Sequence, residues 1–274
     1  MSYKTILVHV DAGERWTARL SIAVHLAQRF GAHLIGLHAL SAIPLRSFVL
    51  PAAEPGNELR TMVEAQALQQ RTEYARITTQ AGLSNAEWRA SVEDAATVVA
   101  LHARYSDLVV IGQPDPRRTG GLEPDLASKV VLSAGRPVLV VPYVGRFDII
   151  GKQVVLAWDA RREAARAASD ALPLLQAADK VTIVSVTPSK PAHGEQPGAD
   201  VALYLARHGV RCEVSNLYGH DVDAGNQLLS YAADLSADLI VMGAYGHSRV
   251  SEMVLGGVTR TLMESMTVPV LMSH

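Results

Sequence analysis

A glycine-rich segment near the end of the chain has the residue types of an anion-binding loop. Gly243 opens it, Gly246 follows, and Gly256 comes after nine more residues, directly ahead of Gly257-Val258-Thr259. Glycines let backbone N–H groups approach an anion without a Cβ in the way. A helix that starts here would add free N–H groups and a positive dipole potential, and Thr259 would add a hydroxyl. The segment therefore predicts a phosphate-binding loop.

An aspartate follows a second apolar run and could complete such a site. Asp159 ends the run Lys152–Trp158, and Gly243 ends the run Leu239–Met242. Open parallel sheets bind ligands at the carboxyl ends of strands, so Asp159 could accept hydrogen bonds from a base or a ribose. The alternative is that the glycines are turn residues and the aspartate caps a helix. Spacing alone leaves both open, because the chain has neither a Walker loop nor a G-x-G-x-x-G after its first strand.

The elements that must position these residues occur twice in the chain. Lys4–Asp11 matches Lys152–Asp159, and each is an apolar run of strand length that ends in an aspartate. Ser106–Gly112 similarly matches Ala237–Gly243. The second copy is shorter in its middle, and we expect the extra length of the first copy near Ala42–Asn57, where prolines and a glycine indicate a loop.

Alternating apolar runs and helical patterns predict an α/β fold in each copy. The strand candidates are almost entirely apolar, as expected for strands of a parallel sheet that is covered on both faces. Each copy has five such runs joined by crossover helices. We therefore predict two tandem doubly wound domains with parallel five-stranded sheets, residues 1–143 and 151–274, with a short connector between them.

Composition excludes several classes of function. The 274 residues carry a formal net charge of −2, which gives no electrostatic case for a nucleic-acid or anionic-membrane partner. No apolar run approaches the roughly 20 residues that cross a bilayer. The single cysteine, Cys212, forms no intramolecular disulfide and supports no zinc site. With no signal-peptide pattern at the N-terminus, we expect a cytoplasmic protein without a structural metal.

The combined features resemble the universal stress protein family in its tandem two-domain form. The most specific element is the loop G-x2-G-x9-G-[ST], which Gly243, Gly246 and Gly256 match, and the resemblance covers nearly the whole chain. It implies a strand order of 3-2-1-4-5 in an adenine nucleotide alpha-hydrolase-like fold. It also implies that ATP or a related adenine nucleotide binds, either alone or with Mg²⁺.

Carried over position by position, the resemblance implies a complete set of contacts in the second copy. Asp159 would meet the base or the ribose. The adenine slot would be lined by Ala157, Val186 and Met242. The ribose and phosphates would be held by Gly243, Gly246, Gly256, Gly257, Val258 and Thr259. The family has Ser or Thr after the third glycine; Gly257 stands there in this chain, which removes one hydroxyl contact and keeps the backbone N–H.

The first copy departs further from the family pattern. It keeps Asp11 and Gly112, but Asp115 stands where the second glycine is expected, between two prolines. A carboxylate repels a phosphate, and proline has no N–H to donate. We therefore expect a structural or pairing role for this copy; the alternative is a phosphate site built from Gly120-Gly121 and Arg117-Arg118. Counting from the two aspartates places His38 at the position of Val186, where we expect a capped or partly buried histidine.

Three functions are compatible with the sequence. The first is a stress-response module that binds an adenine nucleotide and passes this state to a protein partner. The second is a nucleotide-independent scaffold. The third, a slow ATPase, has the weakest support because no catalytic base or metal-binding carboxylate pair accompanies the loop. The resemblance further implies pairing through the fifth strands, Pro137–Val141 and Pro269–Met272, within one chain and in a homodimer.

Overall fold

The computed structural model describes residues 2–13, 15–39, 56–91, 93–115, 117, 122–147, 149–186, 198–218, 223–246 and 257–274, with only the backbone described for 56–64. The chain forms two compact units, Tyr3–Ala134 and Gly135–His274. The long insertion expected near Ala42–Asn57 falls almost entirely outside the described residues. In those residues, no helix is long and apolar enough to span a membrane.

The first unit alternates strands and helices as the hydrophobic pattern predicts. Its elements are β1 (Thr5–Val10), α1 (Trp16–Phe30), β2 (His33–Ala39), α2 (Gly56–Gln80), β3 (Ala86–Ser91), α3 (Ala95–Ala103), β4 (Leu108–Gly112) and α4 (Leu126–Ser133). The strands are parallel and lie in the order β3-β2-β1-β4. This is the order predicted for the first four strands of a copy.

The second unit contains a complete five-stranded copy. Its elements are β5 (Val138–Val141), β6 (Gln153–Ala157), α5 (Arg162–Asp170), α6 (Leu172–Gln176), β7 (Lys180–Val186), α7 (Ala199–Arg207), β8 (Cys212–Leu217), α8 (Ala224–Asp234), β9 (Leu239–Gly243), α9 (Gly257–Ser265) and β10 (Val270–Ser273). The order β8-β7-β6-β9-β10 is the predicted 3-2-1-4-5, and these five strands are parallel. The predicted fold class is therefore confirmed.

The fifth strands of the two copies pair with each other. Val140 of β5 lies opposite Val270 of β10, and the two strands run antiparallel. This is the strand pairing that the family resemblance implied. Because β5 belongs to the compact unit Gly135–His274, the domain boundaries at 143 and 151 stay a prediction.

Helix α2 combines a solvated face with two buried side chains. The polar stretch Glu64–Arg76 predicts a solvated helix face, and the side chains described there are exposed or half-buried except for two. Tyr74 is 3% exposed and donates a hydrogen bond to the Leu34 carbonyl oxygen at 3.0 Å, and Gln70 is 5% exposed. The Tyr74 ring occupies the space that a Cβ on Gly36 would fill. The contact depends on the missing side chain of a distant glycine, which a local pattern does not reveal.

Each copy fixes its first strand with an aspartate that precedes its fourth strand. Asp107 Oδ2 accepts hydrogen bonds from the backbone N–H groups of Lys4 and Thr5, at 2.7 and 3.0 Å. Asp238 accepts from Gly151 at 2.8 Å and from the next two residues. The repeated Asp-Leu pair in the sequence therefore has a structural role, since it satisfies backbone donors at the start of β1 and β6.

Replacing Asp238 with alanine should destabilise the second unit. The change leaves three backbone N–H groups, two of them part-buried, without their acceptor, so we expect the free energy of unfolding to fall by about 1–3 kcal/mol. Urea denaturation measures this. Asp234→Ala is the control, because Asp234 is exposed at the end of α8 and should change stability by less than about 0.5 kcal/mol. Equal effects of the two changes would contradict the assigned role.

Candidate functional site

The second unit brings the predicted site residues to one edge of its sheet. β9, β6 and β7 are neighbours, and they end at Gly243, Ala157 and Val186. Asp159 follows β6 by two residues. Because these strands are parallel, their carboxyl ends meet at the same edge, where open α/β sheets bind ligands.

The three residues predicted to line an adenine slot lie on one face of the sheet. Ala157 pairs with Val184, which shares a face with Val186, and the pairing of Leu156 with Val241 places Met242 beside Ala157. Met242 is buried, and Ala157 and Val186 are half-buried. The edge of this face therefore presents small and apolar side chains. A planar apolar ring would find suitable packing there.

Asp159 stabilises a turn and also presents a free carboxylate edge. Its Oδ1 accepts a hydrogen bond from the backbone N–H of Arg161 at 3.1 Å, and its Oδ2 lies 3.6 Å from Arg161 Nε. The side chain is still 56% exposed. A carboxylate has about four acceptor positions, so Asp159 can hold the turn and accept hydrogen bonds from a ligand.

Gly243 and Gly246 are glycines for different structural reasons. A Cβ built on Gly243 would lie under 3.0 Å from backbone atoms of Glu163 and Ala164 at the start of α5. Only glycine allows that close approach of helix and strand. A Cβ on Gly246 would meet atoms of the Arg161 and Glu163 side chains at 3.1–3.3 Å. Those side chains can move, so packing alone does not require glycine at 246.

The start of α9 contributes the remaining described residues of the loop. Gly257 is exposed, Val258 is half-buried and Thr259 is 4% exposed. Thr259 Oγ1 accepts a hydrogen bond from the backbone N–H of Tyr245 at 3.3 Å. Tyr245 has a left-handed backbone with φ of 60°, so this bond helps to hold an unfavourable conformation. Gly256 lies outside the described residues.

Glu163, which the sequence analysis did not single out, lies beside the loop. Its side chain is 7% exposed, and Oε1 accepts a hydrogen bond from Arg162 Nε at 2.5 Å. Burial raises the pKa of Glu163, but the hydrogen bond and the charges of Arg162 and His274 outweigh burial and leave the pKa below its usual value. The site therefore contains a buried carboxylate that stays ionised at neutral pH.

The corresponding aspartate of the first unit is already paired. Asp11 Oδ2 lies 2.6 Å from Arg19 Nη2, and the two side chains are only 9% and 4% exposed. Asp11 Oδ1 accepts from the Gly13 backbone N–H at 2.8 Å, and Gln70 donates to the Asp11 carbonyl oxygen. The equivalent carboxylates therefore differ: Asp159 is exposed, whereas Asp11 is buried in an ion pair with Arg19.

A histidine fills the first unit where the second has alanine. His9 pairs with Leu37 as Ala157 pairs with Val184, so the two residues are equivalent in the sheet. His9 is 1% exposed, and its Nε2 lies 3.4 Å from the Ala39 carbonyl oxygen. Burial lowers the pKa of His9 to about 4. The face that is open and apolar in the second copy is therefore occupied by an imidazole.

The expected equivalence of His38 and Val186 is wrong. The strand pairings make Val186 the counterpart of Ala39, and His38 the counterpart of Ser185. The chain between the first two strands differs in length by one residue between the copies, and a shift of one residue moves a side chain to the other face. His38 is buried as expected; its Nδ1–H donates to the Val10 carbonyl oxygen at 3.2 Å, and its ring stacks on Trp88.

Alanine substitutions at Gly243 and Gly246 should differ in their effect on the stability of the protein. Gly243→Ala forces α5 away from β9, and we expect it to destabilise the protein by about 1–3 kcal/mol. Gly246→Ala meets only movable side chains and should cost less than about 1 kcal/mol. Thermal unfolding followed by circular dichroism compares them. A Gly246→Ala variant that is less stable than Gly243→Ala would contradict the packing described for the two positions.

Acid should destabilise the protein through His9. The pKa of His9 is about 4 in the folded chain, against 6.5 as the ordinary value, so between these pH values the unfolded chain binds a proton that the folded chain does not. The free energy of unfolding should therefore fall by about 3 kcal/mol as the pH is lowered from 6.5 to 4. Denaturant titrations across that range should show a smaller slope for His9→Gln. An unchanged slope in His9→Gln would refute the assignment.

Comparison with known proteins identifies the family. A sequence model of the universal stress protein family matches the chain twice, over residues 2–142 and 151–274. Universal stress protein Slr1230 from Synechocystis is 37% identical over 67 residues, which are 24% of this chain and 22% of that protein. The aligned part is thus about a fifth of this curated relative.

Solved structures show the same fold at low sequence identity. A universal stress protein from Archaeoglobus fulgidus has a TM-score of 0.76 and 17% identity, with 98% of this chain and 95% of that chain covered. A functionally unknown protein from Pseudomonas aeruginosa has a TM-score of 0.57 and 17% identity, with 99% and 92% covered. With two tandem matches to the family model and this fold, the chain belongs to the universal stress protein family.

Proposed function

We propose that the second copy binds ATP or a related adenine nucleotide, and that the protein acts as a nucleotide-dependent regulatory or interaction module in the stress response. The observation that carries this proposal is the contrast between the two equivalent aspartates. Asp159 is 56% exposed, whereas Asp11 is buried in an ion pair with Arg19. An accessible carboxylate beside an apolar sheet edge suits a nucleoside, which combines hydroxyl and amino donors with a flat ring.

The described residues fit the adenosine part of such a ligand. Ala157, Val186 and Met242 would pack against the base, and Asp159 would accept hydrogen bonds from the ribose or the base. Gly246 leaves room for backbone N–H groups to approach a phosphate, and the start of α9 adds helix dipole potential. When bound, the nucleotide supplies a negatively charged phosphate chain that partners can recognise.

The first copy is unsuited to the same ligand. His9 occupies the position of Ala157, and Asp11 already accepts hydrogen bonds from Arg19 and Gly13. Removing Arg19 from its buried partner would leave an uncompensated charge. We therefore propose one nucleotide site per chain, with the first copy in a structural or pairing role.

A nucleotide-independent scaffold is the second candidate. Gly257 lacks the hydroxyl of the family pattern, and the buried Glu163 carboxylate lies beside the loop; both weaken a phosphate site. Slow ATP hydrolysis ranks third. The described side chains contain no group of three His, Cys, Asp or Glu residues that could hold a metal ion.

We further propose that the protein is a cytoplasmic homodimer and that the bound nucleotide controls its binding to a protein partner.

Calorimetric titration tests the proposed site. We expect wild-type protein to bind one adenine nucleotide per chain, in titrations of AMP and ATP up to millimolar concentration. Gly246→Asp should abolish binding, because it adds a carboxylate beside the Glu163 carboxylate and in the path of the phosphate. Asp115→Asn, in the first copy, should leave binding unchanged. If neither AMP nor ATP gives a heat of binding, the result would support the nucleotide-independent scaffold. Two equal sites per chain would contradict the role given to the first copy.

A further inference from the structure

We infer that two copies of this chain associate through strand β3 (Ala86–Ser91), with the two β3 strands antiparallel and centred on Trp88. This interface belongs to the homodimer proposed above and so rests on that proposal, but it does not depend on the nucleotide site. β10 already has β9 and β5 as neighbours, so it has no free edge for a second chain. Among the described strands, β3 pairs only with β2. Its outer backbone N–H and C=O groups can therefore pair with another strand.

The charges of β3 make the strand complementary to itself. Glu87 and Arg89 lie on either side of Trp88 and on the same face of the strand, and their side chains are 41% and 35% exposed. A two-fold axis makes the paired strands antiparallel. Centred on Trp88, this pairing places Glu87 opposite the second copy's Arg89 and Arg89 opposite its Glu87. Like charges on an edge strand repel a second copy, whereas these opposite charges attract it at two points.

Both charged side chains are held in place within one chain. Arg89 Nε and Nη2 donate hydrogen bonds to Glu87 Oε1 and Oε2 at 2.7 and 3.1 Å. His33 Nε2 lies 3.2 Å from Glu87 Oε2, and Arg89 Nη1 lies 3.0 Å from His102 Nδ1. The ordering of these side chains is therefore largely complete before a second copy arrives. Pairing would join two carboxylates and two guanidinium groups in one network.

Trp88 lies on the opposite face of β3 and suits the same pairing. Its ring stacks on His38, with 5.9 Å between ring centroids, and lies 5.4 Å from the ring of Tyr74. These contacts fix the ring, although the residue is only half-buried. Pairing centred on Trp88 puts the two Trp88 residues directly opposite each other, where cross-strand aromatic pairs stabilise sheets. Ala86 and Ala90 then oppose each other as small residues.

The equivalent edge strand of the second copy lacks this complementarity. The strand pairings make β8 the counterpart of β3, with Glu213 equivalent to Glu87 and Ser215 equivalent to Arg89. Two β8 strands in the same register would oppose Glu213 with Ser215 and form no ion pair. β3 paired with β8 would form one ion pair, and two β3 strands form two. The charges therefore favour a closed dimer through β3 over an open chain of molecules.

Charge reversal, followed by sedimentation equilibrium, tests this pairing. Strands of six residues make a small interface, so we expect a reversible dimer whose population rises with protein concentration. Arg89→Glu gives each strand two acidic residues and Glu87→Arg gives it two basic ones, and each change should raise the dimer Kd about tenfold to hundredfold. An equimolar mixture of these variants should dimerise, and so should the double variant Glu87→Arg with Arg89→Glu. Glu213→Arg, at the equivalent position of β8, is the matched control and should leave the dimer unchanged.

Four results would overturn the inference. A dimer that persists in both single variants would lie on another surface, and the proposed homodimer would stand. Failure of both the mixture and the double variant to dimerise would mean that these charges do not face each other. Loss of assembly in Glu213→Arg would indicate pairing between β3 and β8. A wild-type chain that stays monomeric at millimolar concentration would refute the homodimer and this interface together. Circular dichroism and AMP titration of the same variants report folding and nucleotide binding separately, so a failure of the nucleotide site is distinguishable from each of these results.

Discussion

The close contact between Gly243 and the first turn of α5 is the constraint on which the candidate site depends. Without a Cβ at the end of β9, the backbone of Glu163 and Ala164 can approach the strand directly. That approach brings Glu163 under the loop, and it keeps Arg161 and Asp159 beside it in the preceding turn. A single missing side chain thus sets the distance between the loop and the charged residues that would face a ligand.

The equivalent strand ends of the first copy carry different side chains. Gly112 also ends its strand, and a Cβ there would meet the Arg19 guanidinium instead of a helix backbone. Arg19 neutralises Asp11, and His9 fills the face that Ala157 leaves open. Long polar side chains in the first copy thus fill an edge that remains accessible in the second. The two copies share a fold and differ at this edge.

Much of the fold could be predicted because its signals are local or repeated. The apolar runs that became β1, β4, β6 and β9 are continuous, and the duplication allowed each copy to support the assignment of the other. The charge under the loop could not be predicted in this way. Glu163 has the sequence context of an ordinary first-turn residue in a helix, and only the missing Cβ atoms of two distant glycines show where its carboxylate lies.

The error at His38 has a similar physical origin. Counting from the aspartates assumes that the chain between the strands has the same length in both copies. The strand pairings show a difference of one residue, which exchanges the two faces of the sheet. Insertions in loops leave no mark on hydrophobic periodicity, so the face of a single strand-end residue requires the structure. The candidate slot is unaffected, because its three residues were assigned within one copy.

A crystal structure grown with AMP would test the central claim most directly, namely that the two copies share a fold and differ in ligand binding. We expect density for one nucleotide per chain, with the base against Ala157 and Val186, the ribose within hydrogen-bonding distance of Asp159, and no nucleotide beside Asp11. Nucleotide density beside Asp11 and His9, or a nucleotide in the second copy that makes no contact with Asp159, would contradict it.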